Sequence, residues 1–153
     1  MSLVASFRLV PISALPRLLE AAAQSARTYA DQLRADAGGP VTFPGAGIVL
    51  ATALPYLQRH GIPILKSAFA EDADKLSRLT ATTQVILTAE QRDTCLDEIN
   101  ADPARESELR DYFNEFNGSS EPDAGRVMLD ALRAIREVLA QASERNVVLL
   151  TIG

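Results

Sequence analysis

The chain has 153 residues, 47% hydrophobic and 23% charged, with a net charge of −5, one cysteine and no tryptophan. That length fits a single domain over residues 1–153, able to bury a core without a disulfide or a structural metal. The acidic balance and the scatter of basic residues leave no electrostatic footprint for nucleic acid or for an anionic membrane surface.

Cys95 is alone, so no internal disulfide can form, and the chain opens with no leader-like pattern. The longest nearly apolar run, Ala46 to Leu57, is too short to span a bilayer and contains Pro55. A cytoplasmic location follows as the expectation. Arginine outnumbers lysine 13 to 2 and alanine is abundant, a bias of GC-rich coding that points to a bacterial source.

Val4 to Val10 alternates apolar with polar residues and reads as a half-buried strand ended by Pro11. A helix is expected from about Ala14 to Ala35, with Leu15, Leu18, Leu19, Ala22, Tyr29 and Leu33 on one face. Gly38-Gly39-Pro40 closes it. A second helix begins after Pro44-Gly45. Ile48 to Leu57 is apolar almost all round, which suggests a central helix that Pro55 kinks or splits. Gly61, Ile62 and Pro63 form a helix stop.

A third helix is expected over Ser67–Leu79 and a strand over residues 83–88. Thr88 and Gln91 have capping-box spacing and open a helix ending near Ile99. Asp102-Pro103 opens another, stopped by Asn117-Gly118. The last helix runs from about Glu121 to Glu144. Val147 to Ile152 is a continuous apolar run, the pattern of a central strand buried on both faces. The sum is an α+β fold: about six helices around a small mixed sheet of three strands.

The candidate sites each have a bland alternative. His60, the only histidine, has a ring that titrates near neutral pH and suits a general base. In the last turn of a helix it also simply complements the dipole. Cys95 shares a face with Leu96 and Ile99 and reads as core. Pro44-Gly45-Ala46-Gly47 precedes a helix, a place that suits an anion, but it lacks phosphate-loop and dinucleotide spacing, and a tight turn explains it. Glu108, Asp111 and Glu115 fall on one helix face. Three acids there suit a hard cation, or are an ordinary solvated stripe. No metal or cofactor motif is present.

Tyr112, Phe113 and Phe116 are three of only eight aromatic residues. Helical spacing makes core packing their default. The polar loop that follows makes them the strongest sign of a contact surface, with Tyr112 or Phe116 partly outside and Glu115, Glu121 and Asp123 as an acidic rim.

The chain opens with Ser6-Phe7-Arg8-Leu9-Val10 and a Leu-rich helix. Its middle carries Val85-Ile86-Leu87-Thr88-Ala89-Glu90-Gln91, and it closes with a long helix and Val147-Val148-Leu149-Leu150. This order resembles the small bacterial YfbM-like family of unknown function, over about half the chain. The resemblance implies a fold more than an activity.

Two functions from different classes are compatible with these residues. One is a non-catalytic protein-binding module, a regulator or immunity-type partner, whose net charge favours a basic protein. The other is a small enzyme whose carboxylates or His60 converge only in the fold.

Overall fold

The computed structural model describes residues 3–153. Strand β1 spans Ala5–Pro11. Helices α1 (Leu15–Gln24) and α2 (Ala26–Asp36) follow, then a two-residue strand β2 (Val41–Thr42). Next come α3 (Gly47–Arg59), α4 (Ala70–Thr80), β3 (Thr83–Leu87) and α5 (Ala89–Cys95). The chain ends with α6 (Glu106–Asn117), α7 (Ala124–Leu139) and β4 (Asn146–Ile152). The fold is α+β, as the hydrophobic patterning implies. Among the described residues, no helix is long and apolar enough to cross a membrane.

The sheet has the order β2-β1-β4-β3. β4 therefore lies between two strands, as its unbroken apolar run requires. Alternate residues enter two cores. Val148, Leu150 and Ile152 pack with Ala5, Phe7, Val85 and Leu87 against α3, α6 and α7. Val147 and Leu149 join Val10 and Ile86 beneath α1, α2 and α4. Helices thus cover both faces, and from Val147 to Leu150 no position of β4 is free to be polar.

Three differences from the sequence reading have physical causes. The sheet is antiparallel throughout, not mixed, because β4 runs opposite to both β1 and β3. It also has a fourth strand, β2, too short to show a periodicity. Pro40 and Pro44 flank β2, a common way of blunting a sheet edge. The long first helix is two helices. Ser25 is extended, with φ −168° and ψ 162°, and its hydroxyl caps α2 by accepting from the Thr28 N–H at 3.0 Å. The alanine-rich stripe continues across this break, so periodicity alone misses it.

Other boundaries follow local chemistry. α3 continues through Pro55 without splitting. At its end, Gly61 takes the left-handed conformation (φ 79°). The Gly61 N–H then donates to Gln58 O at 3.1 Å and the Ile62 N–H to Leu57 O at 3.0 Å. This pair of bonds is the Schellman arrangement, and buried Ile62 supplies its apolar contact. Thr88 and Gln91 form the full capping box of α5. α7 ends at Leu139, five residues short of Glu144, where the chain turns and Ser143 N–H donates to Asn146 O.

Candidate functional site

The C-terminal half of α3 lies against α6, and the two helices are joined at both levels. The Asn117 amide donates to the Thr52 hydroxyl at 3.0 Å. Toward the other end, the Glu108 carboxylate receives the Tyr56 hydroxyl at 3.2 Å and lies 3.2 Å from His60 Nε2. Arg105 Nε stands 3.7 Å from the second Glu108 oxygen.

Spacing builds an aromatic ladder on this frame. Tyr56 on α3 and His60 at its C-cap are one turn apart, with ring centroids 4.1 Å apart. Tyr112 meets Tyr56 edge-on at 5.1 Å, and Phe116, one turn later on α6, stacks on Tyr112 at 5.8 Å. The Arg59 guanidinium lies 5.9 Å from the Tyr112 ring centre, within cation–π range.

The three aromatic residues of α6 have different fates. Phe113 is in the core at 6% exposure, Tyr112 is half-buried, and Phe116 is 53% exposed. Burial raises the Tyr112 hydroxyl above its usual pKa, partly offset by the Arg59 charge. Arg59, Tyr112, Glu115 and Phe116 line a shallow hollow of about 220 Å³.

The sequence-derived rim is only partly at this hollow. Glu115 borders it. Glu121 and Asp123 lie farther along, on the loop to α7. Asn114 pins that loop: its side chain accepts from the Glu121 N–H at 2.8 Å and donates to Glu121 O at 3.0 Å. Asp123 is 3.9 Å from Arg126.

The other candidates are also placed. Glu108 is committed to His60, Tyr56 and Arg105, and Asp111 pairs with Arg110 at 3.2 Å. The acidic stripe of α6 is thereby divided. Among the described residues, no three His, Cys, Asp or Glu side chains are grouped to hold a metal. Cys95 is fully buried. Gly47 N–H donates to Leu3 O at 2.8 Å, so it is not free for an anion.

No family model, curated protein or solved structure matches the chain.

The α3 half of this site, Tyr56, Arg59 and His60, was not legible as a partner of α6. Its signal exists only as two separate stripes, Tyr56 and His60 at i,i+4 and Glu108, Tyr112 and Phe116 at i,i+4,i+8. Spacing within each helix says nothing of their being neighbours across some 50 residues of chain.

Proposed function

We propose that this chain is a non-catalytic protein-binding module, of regulator or immunity type, which engages its partner through Tyr112, Glu115 and Phe116 of α6 and Arg59 of α3. The observation that carries this reading is the Phe116 ring. It is more than half exposed, yet fixed by stacking on Tyr112 at the edge of a hollow. A large apolar ring held in one orientation gives contact area at little entropic cost. The net charge of −5 adds long-range attraction for a basic partner. At the hollow itself Glu115 and Arg59 balance, so contact there selects on shape and on paired charge. The YfbM-like resemblance accompanies this proposal and supplies no chemistry to it.

The enzymatic alternative draws on the convergence of His60 and Glu108. His60 Nδ1 lies 2.8 Å from Tyr56 O, an acceptor, and Nε2 faces the Glu108 carboxylate. A general base needs one nitrogen open to substrate, and here both face protein acceptors, which favours the binding reading.

Affinity capture from the source cells tests the proposal, with the wild-type chain and Phe116→Ala as baits at low and high salt. A protein retained by the wild type and lost with Phe116→Ala is the expected result. Capture of nothing, or equal capture by both baits, overturns it.

A further inference from the structure

Arg59 and Glu115 are the two charged groups bordering the Phe116 hollow, one on α3 and one on α6. Neither takes part in the ion pairs found among the described residues. A further exposed apolar residue lies along α3. Ile48, Pro55 and Arg59 follow at steps of seven and four and so share one line along α3. None of the three is buried, and Ile48 is 41% exposed. Tyr112 and Phe116 form the matching line on α6. Each of the two joined helices therefore carries one exposed large apolar side chain, Ile48 on α3 and Phe116 on α6, with an unpaired cation on the first helix and an unpaired anion on the second.

We propose that a second copy of this chain occupies this face. The two-fold contact seats the two Phe116 rings together and sets Arg59 of each copy against Glu115 of the other. The proposal rests on the reading of the face as protein-binding. A two-fold contact is isologous, so every group meets the patch that carries it. A uniformly acidic patch would repel its copy, whereas one cation beside one anion supplies two complementary pairs. The net charge of −5 on each copy opposes association at long range. The contact is accordingly weak, and its strength depends on these local pairs and on burial of Phe116 and Ile48.

Analytical ultracentrifugation tests this from about 1 μM to 1 mM protein, the range in which weak contacts form. The wild type is expected to show a monomer–dimer equilibrium. Arg59→Glu and Glu115→Arg each weaken it by about tenfold, the scale of a lost interfacial charge pair. The variant carrying both changes recovers most of the loss, because each copy again presents one charge of each sign. Phe116→Ala abolishes the dimer. Circular dichroism of each variant separates misfolding from lost contact. A wild type that stays monomeric throughout overturns the proposal. So does a dimer indifferent to all these changes, or a double variant no better than the singles. A monomeric wild type that still captures a partner through Phe116 overturns the self-contact and leaves the face as a site for another protein. A monomeric wild type that captures nothing overturns both.

Discussion

The Phe116 ring lies over that of Tyr112, with centroids 5.8 Å apart and planes 20° from parallel. Phe113, between them in sequence, points into the core. The same side-chain type therefore does two jobs on one helix, and truncation separates them. Phe113→Ala is expected to cost about 3–5 kcal/mol, the usual loss for a buried Phe. Phe116→Ala forfeits mainly a half-exposed stacking contact, about 0.5–1.5 kcal/mol. Urea denaturation of both variants measures the difference, and equal losses would place Phe116 among the core residues.

How much of this was legible follows from where each signal resides. The alternation of Val147 to Ile152 between two covered faces is local, so the central strand was readable. The capping box at Thr88 and the stop at Gly61 were readable for the same reason. Ser25 was not, because a helix-compatible alanine stripe on either side hides a single extended residue. β2 was not, because two residues have no period. Tyr112, Glu115 and Phe116 were legible as candidates but Arg59 was not, because it reaches Tyr112 only through the packing of α3 on α6.

That packing is close at the α6–α7 contact as well, where Gly125 meets the backbone of Glu106. A Cβ added at Gly125 would fall 2.1 Å from the Glu106 carbonyl oxygen and 2.9 Å from its carbonyl carbon. Backbone cannot swing away as a side-chain tip can. Gly125→Ala must push the start of α6 off α7, at a cost of about 1–3 kcal/mol, as for other overpacked positions. Gly39 is the control, since no atom of the described residues lies within 4 Å of a Cβ placed there. Thermal unfolding of both variants is the measurement. A Gly125→Ala chain as stable as Gly39→Ala would mean that the two helices are not pressed together here.

Acid should act on α1 and α2 through Asp36. Its carboxyl pKa lies below the usual 3.8, first because Arg17 donates to it at 2.9 Å and next because Gln32 does. A folded-state pKa below the unfolded one gives stability that is present above pH 3.8 and is lost as pH falls through the folded value. Arg17→Ala removes the larger cause. The variant is expected to be less stable than the wild type at neutral pH, with the gap closing below pH 3.8. Urea titrations at several pH values measure it. A gap that stays constant into acid would show that Arg17 acts by packing alone.

Alkali acts in the opposite sense, through the tyrosines. Tyr29, Tyr56 and Tyr112 are the chain's three, and burial raises the pKa of each above the usual 10.0. The folded protein keeps these phenols neutral where the unfolded chain has begun to ionise. Their contribution is thus complete below pH 10.0 and lost as pH rises through the folded values. Tyr29 is the informative member, because its hydroxyl is buried with no hydrogen-bond partner among the described residues. Such a group carries a desolvation penalty of about 1–3 kcal/mol, which an isosteric ring without the oxygen does not. Tyr29→Phe is therefore expected to be at least as stable as the wild type at neutral pH, by up to about 1 kcal/mol. It should also lose less stability above pH 10.0. Ultraviolet titration of tyrosinate alongside urea unfolding reads both effects. A clear loss of stability at neutral pH would mean that the hydroxyl has a partner, such as an ordered water, and that Tyr29 is held by a hydrogen bond as well as by packing.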